Sequence, residues 1–318
     1  MIARFANDLD RLIPPDERVG VAVSGGPDSL ALLLLTAGTR PGGVEAITID
    51  HALRSESRAE AEHVASICAG LGIPHQIRTV EWGEKPDSGL QEKARDARYR
   101  LIADWLRTRN LQAVCTAHHR DDQAETLVMR LGRGAGVRGL AAIRPSSALP
   151  GDCDLRLLRP LLDWARSDLA AICEAAGVAP VADPSNDDTQ FERVRVRRQI
   201  ALMDLDADAL ARSAANLRDA DEAIGWASEQ EWQARVRTAA DGMDYEPGDA
   251  PAEIRRRIVA RVVTALATEG GDEIRGREAN RLHDCLLSGG VATLRGVRCE
   301  GGAVWRFRPA PSRSSGCG

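Results

Sequence analysis

Lysine is nearly missing from this chain. Of 42 basic residues, only Lys85 and Lys93 are lysine, so cationic contacts fall to arginine, whose planar fork suits carboxylate and phosphate. Aromatic residues make up 3% of the 318 residues. Leu, Ala, Val and Ile must therefore fill the core, and extensive stacking on nucleic-acid bases is disfavoured. No Cys-x-x-Cys pair occurs among Cys68, Cys115, Cys153, Cys173, Cys285, Cys299 and Cys317. That odd, scattered set weakens zinc, iron–sulfur and thioredoxin readings and fits free thiols in a reducing cytoplasm. Long apolar runs are missing too: Leu30–Leu35 is far too short for a bilayer, and the acidic N-terminus does not resemble a signal peptide. The net charge of −5 carries no global nucleic-acid signature. Residues 1–191 hold 22 Lys+Arg against 27 Asp+Glu, and residues 192–318 hold 20 of each.

What is present centres on Val19–Leu35, VGVAVSGGPDSLALLLL. A β-branched run predicts a buried parallel strand over 19–23. Ser24-Gly25-Gly26-Pro27-Asp28-Ser29 follows, then an apolar helix. A glycine turn between strand and helix aims backbone N–H groups at one point, and the helix start adds partial positive charge. Such a turn holds phosphate. Asp28 would repel a bare phosphate, which implies a bridging divalent cation. This turn carries no Gly-Lys-Ser/Thr, no G-x-G-x-x-G and no G-x-S-x-G. A bare S-G-G fits an ordinary βα turn equally well; the six residues after a strand are more specific. They resemble the pyrophosphatase-type P-loop (PP-loop) of enzymes that split ATP into AMP and pyrophosphate.

Further strands are expected at 44–49, 75–80, 111–115 and 155–158, and helices at 57–71, 90–109, 121–131 and from 163 or 167 to 177. The alternation predicts an α/β fold, a doubly wound, mostly parallel sheet with its ligand at the carboxyl ends of strands. Polar clusters fall at three such ends: 24–29, 50–51 and 116–122. Composition marks turns at 83–89 and 183–186. The rhythm stops near 205–220. Helices are expected at 206–237, 252–268 and 276–287, then strands at 291–298 and 303–308 joined by a hairpin turn at 300–302. This divides the chain into a nucleotide-binding domain (1–210), a smaller, mainly helical domain ending in a hairpin (211–308), and a disordered tail (309–318).

The second chemical cluster runs Thr116-Ala-His118-His119-Arg-Asp121-Asp122-Gln-Ala-Glu125. A helix beginning at Asp121 puts Asp122 and Glu125 on one face. There they could hold Mg²⁺ or a cationic amine, although an acidic first turn is also an ordinary response to the helix dipole. His118 and His119 are ambiguous between loop hydrogen bonding and catalysis. Four arginines occupy 193–198, fitting either an anion site or a solvated face.

SGGPDS (24–29), DHALR (50–54), EKARDARYR (92–100), AHHRDDQAETLVMRLGRGAGVRGLAAI (117–143), RPLL (159–162) and DPSNDDTQFERVRVR (183–197) together resemble the tRNA(Ile)-lysidine synthetase family in its compact form. The resemblance covers most of residues 18–200. It implies a PP-loop, adenine nucleotide alpha hydrolase-like fold and ATP-dependent ligation of free lysine to C2 of the wobble cytidine of a CAU-anticodon tRNA. An adenylated cytidine is the implied intermediate, with ATP and Mg²⁺ as cofactors, tRNA recognition by the C-terminal domain, and a homodimer as one arrangement. It implies nucleotide binding by Ser24, Gly25, Gly26, Pro27, Asp28, Ser29, Asp50, His51 and Gly134. Asp28 and Asp122 are the implied metal carboxylates, and Asp122, Glu125, Arg133, Arg193 and Arg195 the contacts to lysine or tRNA. Asp28, His118, Asp122, Glu125 and Arg197 are the implied catalytic residues.

A 2-thiocytidine synthetase shares the loop and the target carbon but calls for a Cys-x-x-Cys cluster. GMP and asparagine synthetases call for an ammonia source. A non-catalytic nucleotide-binding module accounts for 24–29 but not for the acids at 122–125.

Overall fold

A computed structural model describes residues 1–53, 56–82, 89–181, 190, 192–267, 274 and 276–310. Of the sequence features above, the turn at 183–186, most of that at 83–89 and positions 311–318 lie outside the described residues. The chain divides into two compact units, 1–133 with 141–215, and 134–140 with 216–318.

The first unit is built on a six-stranded sheet of order β3-β2-β1-β4-β6-β5. Its strands are β1 (Val19–Ala22), β2 (Val44–Asp50), β3 (His75–Thr79), β4 (Ala113–Cys115), β5 (Ser146–Leu149) and β6 (Asp152–Leu158). Every pairing is parallel except β5 with β6. The crossovers are α2 (Pro27–Thr39), α3 (Ser57–Gly70) and α4 (Leu90–Arg109); α1 (Ile2–Asp10) precedes the sheet. The strand order reverses between β1 and β4, and such a switch point opens a crevice at the strands' carboxyl ends. Both candidate motifs leave the sheet there: α2 follows β1, and α5 (Arg120–Gly132) follows β4.

Apolar residues line both faces of the sheet, as a doubly wound fold requires. One face packs Phe5, Leu9, Val21, Leu30, Leu33 and Trp164 into a single core. The other packs Ile47, Ile102, Trp105, Leu106 and Leu157. Gly20 sits under the Trp105 ring, where an added Cβ would come within 2.7 Å of it. The missing side chain in this central strand is thus a packing requirement. β5 was not anticipated, because SSAL lacks a β-branched pattern; it pairs with β6 across Pro150-Gly151, Gly151 having φ of 82°. α7 (Arg166–Ala175), α8 (Glu192–Leu202) and the first turns of α9 (Ala207–Arg235) follow.

The second unit holds a five-stranded antiparallel sheet of order β7-β8-β11-β10-β9. Its strands are β7 (Val236–Ala239), β8 (Gly242–Tyr245), β9 (Val291–Leu294), β10 (Val297–Glu300) and β11 (Trp305–Pro309). It also holds α10 (Ala252–Leu266), α11 (Gly276–Leu287) and the short α6 (Val137–Leu140). Tyr245, Ile258, Val262, Leu286, Val297, Trp305 and Phe307 form its core. The sequence suggests only a terminal hairpin here. The run 291–298 is instead two strands, folded at Arg295-Gly296, both with positive φ (50° and 74°), the requirement of a two-residue type I′ turn. The helical pattern expected to 237 stops at Arg235, and 236–245 form a second hairpin.

Gly20→Ala is expected to destabilise the protein by roughly 1–3 kcal/mol, the usual range for overpacking a filled core. Urea unfolding of the variant against the wild type measures it.

Candidate active site

The loop at 24–29 closes on itself. Ser29 Oγ accepts from Ser24 N–H (3.1 Å) and from Ser24 Oγ (3.2 Å), and donates to the Gly26 carbonyl (3.0 Å). These bonds fix the turn before any ligand arrives. Gly25 has φ of 89°, and its carbonyl accepts from Val181 N–H at 2.9 Å. A Cβ there would lie 3.1 Å from Val181 and 3.3 Å from Val64. Gly26 is different: its φ is −71°, and the nearest atom to an added Cβ is Ser24 Oγ at 3.8 Å. The protein itself leaves room at Gly26, so the missing side chain there suits close approach of an external group to the backbone. Gly26 N-caps α2, with Pro27 first in the helix and Asp28 in its first turn.

His119 links this loop to the acidic helix. Its Nε2 lies 3.5 Å from Asp28 Oδ2 and 3.6 Å from Asp122 Oδ2, and its Nδ1 lies 3.4 Å from Asp121 Oδ2. The ring is 4% exposed. Burial alone would disfavour its charge. Hydrogen bonds to Asp121 and Asp28, with the field of Asp122, outweigh that and raise its pKa to about 10. The imidazole is therefore an imidazolium at neutral pH. Nδ1 also faces Asp121 N–H at 3.2 Å, but a protonated Nδ1 donates, so the Asp121 carboxylate is its partner. The His119 hydrogen bond in turn holds Asp121 well below the ordinary range, at about 2.

α5 starts one residue earlier than the expected Asp121, with His119 as its N-cap. Asp122 Oδ2 accepts from His119 N–H at 3.0 Å, so this carboxylate both caps the helix and faces the loop. Its Oδ1 meets Arg193 Nη1 at 3.3 Å. Glu125, one turn on, is 2% exposed. Oε1 accepts from Arg197 Nε at 2.7 Å, while Oε2 is buried without a partner. Burial pushes its pKa up, and Arg197 opposes that. Arg193 and Arg197 are one turn apart on α8, so they meet carboxylates one turn apart on α5. Arg195 faces elsewhere and donates to the Gln190 carbonyl at 2.7 Å. Arg133 pairs with Glu192.

His118 is half-buried and neutral, its pKa lowered to about 4 chiefly by desolvation, against the field of Asp122; Nδ1 lies 3.1 Å from Thr116 Oγ1. Asp50 is occupied within the fold: Oδ1 accepts from Ala52 N–H (2.8 Å) and Ser57 Oγ (2.7 Å). His51 Nδ1 is buried without a partner. Gly134, with φ of 68°, belongs to the second unit and is not among the residues assembled here. Among the described residues, no group of three or more His, Cys, Asp or Glu side chains could hold a metal alone. Asp28 does fit a share in one: Oδ1 is buried without a hydrogen-bond partner. Mg²⁺ characteristically takes one or two carboxylates and completes its shell with substrate phosphates and water.

His119 is the residue whose role the sequence did not reveal. The signal available was its place immediately before the helix, since an N-cap side chain must turn toward the helix start.

A PP-loop domain model matches residues 1–203. A tRNA(Ile)-lysidine synthase of Novosphingobium aromaticivorans is 47% identical over 98% of this chain and 95% of its own length. One from Zymomonas mobilis is 43% identical over 94% of this chain and 91% of its own. Among solved structures, the U34-tRNA thiolase NcsA from Methanococcus maripaludis superposes with a TM-score of 0.56 at 14% identity, covering 69% of this chain and 78% of that one. That likeness concerns the fold.

Arg197→Met is expected to cost roughly 1–3 kcal/mol, because it leaves a buried Glu125 without its donor. The deficit should shrink on acidification from pH 7 toward 5. A carboxyl whose folded pKa is raised binds more protons folded than unfolded, so stability falls as pH rises. Thermal melting of the variant and wild type across that range checks both size and sign.

Proposed function

The chain belongs to the tRNA(Ile)-lysidine synthase family, and we propose on that premise that it ligates free lysine to the wobble cytidine of a CAU-anticodon isoleucine tRNA at the expense of ATP. The observation that carries the mechanism is the His119 bridge, 3.5 Å to Asp28 and 3.6 Å to Asp122. It puts a phosphate-cradling turn beside an acidic helix able to receive a cationic amine.

In the first step the cytidine O2 attacks the α-phosphorus of ATP, the bond to the β-phosphate oxygen breaks, and pyrophosphate leaves. The loop's N–H groups and the start of α2 absorb charge on the departing phosphates. Asp28 Oδ1, buried without a partner, would hold a magnesium ion brought with the nucleotide, and that ion would supply neutralisation of phosphate charge. In the second step the lysine ε-nitrogen attacks C2, the C2–O2 bond breaks, and AMP leaves. Only the unprotonated amine attacks. Asp122 and Glu125 hold the arriving ammonium, and the buried, free Oε2 of Glu125 is the group suited to take its proton. His118, neutral near pH 7, offers hydrogen bonding to base or phosphate without adding charge. Arg193 and Arg197 hold the carboxylates in place.

A thiolating enzyme of the same fold is the second reading. This sequence lacks its Cys-x-x-Cys pair, and the relatives above carry the other name.

Protein, ATP, Mg²⁺, labelled lysine and CAU-anticodon tRNA incubated together should give lysine-dependent mass gain at the wobble cytidine. Sulfur or ammonia incorporation instead would reject the assignment. Asp28→Asn should cut tRNA-dependent ATP/pyrophosphate exchange by about 10²–10³-fold, the cost of losing one preorganised electrostatic partner.

A further inference from the structure

Two segments that carry the family resemblance have no part in the site so far: EKARDARYR at 92–100 and RPLL at 159–162. Arg95, Arg98 and Arg159 from these segments all neighbour Tyr99. Arg95 and Arg98 lie over the Tyr99 ring, 4.9 and 5.4 Å from its centroid. Tyr99 is buried, at 3% exposure. Arg159, at the end of β6, is 9% exposed. Its Nη1 donates to the Arg144 carbonyl (2.8 Å) and Ser147 Oγ (3.2 Å). Its Nε, like the Nε of Arg98, is buried without a hydrogen-bond partner. Among the described residues, none of Arg95, Arg98 and Arg159 is in an ion pair with a carboxylate.

The groups also feel one another. Burial lowers the affinity of Arg98 for its proton; the Tyr99 hydroxyl opposes this, while the charges of Arg95 and Arg193 add to it. Burial likewise acts on Arg159, opposed by Tyr99 and reinforced by Arg95. His118 senses Arg159, Arg193 and Arg98 together. A guanidinium does not deprotonate in a protein. The cluster therefore remains cationic, partly desolvated and short of acceptors, and only Arg193 has a carboxylate, Asp122 at 3.3 Å. Buried cationic donors without partners are costly unless an anion arrives.

We propose that Arg98 and Arg159, with Arg95 and Arg193 beside them, form a second anion site that takes a phosphodiester of the RNA substrate next to the target cytidine. This rests on the tRNA reading above. The nucleotide phosphates already have the N–H turn at 24–29. From Asp28 the chain of ionic contacts runs through His119 and Asp122 to Arg193, so the arginines stand beyond the carboxylates rather than on the loop. Arg98 also acts on His51, at the end of β2. The cluster thus borders the carboxyl edge of the sheet where a splayed-out nucleotide would enter. A phosphate held here orients the strand without reading its sequence.

The test uses the full chain and a CAU anticodon stem-loop, with binding measured in the absence of ATP across a salt series. Arg98→Gln and Arg159→Gln should each weaken RNA binding about 10- to 100-fold, the loss of one charge-assisted bond. Each should reduce the salt slope by about 1. Arg98→Lys should restore the salt slope more than the affinity. The KM for ATP in pyrophosphate exchange at saturating tRNA should stay unchanged. A raised KM for ATP with unaltered RNA binding would give the site to nucleotide phosphates and overturn the proposal, as would no change in either. Melting temperatures separate a folding defect, with Arg98→Lys as the variant that keeps the charge. Lysine transfer by the wild type, run in parallel, fails if the reaction is misassigned; RNA binding by the variants fails only if this site is.

Discussion

Three half-buried carboxylates crowd one corner, and the cation that stands among them is part of the chain. Asp28 comes from the helix after β1, and Asp121 and Asp122 from the helix after β4. The His119 imidazolium stands among all three. Placing one charge centrally among several of opposite sign lowers the energy of each pair, and burial strengthens every such attraction. The same residue caps α5, so the electrostatic centre and the start of the acidic helix are one feature. Asp121 extends the tie to the N-terminus of α7, where its carboxylate accepts from Arg166 N–H at 3.3 Å.

The parts of the site legible in sequence were those whose chemistry is local. Ser24–Ser29 stood out because all six residues follow a strand directly, where Ser-Gly-Gly alone would fit an ordinary turn, and the shared face of Asp122 and Glu125 followed from helical spacing. Their partners were harder. Arg193 and Arg197 reach α5 because the two helices present matching one-turn intervals, whereas Arg195, identical in type, faces Gln190. A run of arginines does not by itself say which member points inward. His119 was hidden by its neighbour: two adjacent histidines look alike in sequence, yet one is a neutral ring and the other a buried, bridging cation. That difference is made by atoms from four separate segments.

The doubly wound sheet was readable for a similar reason. β-branched runs alternating with amphipathic helices leave little choice of architecture. The second unit was less so, because its strands are four or five residues long. Neither of two hairpins has Asn-Gly or Asp-Gly at its two loop positions: one turns at Arg295-Gly296, the other at Ala240-Asp241, with the Asp-Gly pair shifted one residue into the strand. There the cross-strand burial of Val297, Cys299, Trp305 and Phe307 decides the structure, and such non-local burial leaves only a faint trace in a short window.

The near-exclusive use of arginine bears on chemoselectivity. An adenylated pyrimidine is an electrophile that any neighbouring primary amine could intercept. The arginines paired with the site's carboxylates are Arg193 and Arg197, whose delocalised guanidinium groups stay protonated and present no lone pair to attack with. Of the two lysines in the chain, Lys93 lies exposed on α4. A catalyst whose second substrate is an amine thereby gains anion-binding strength from side chains that cannot themselves compete for the activated base.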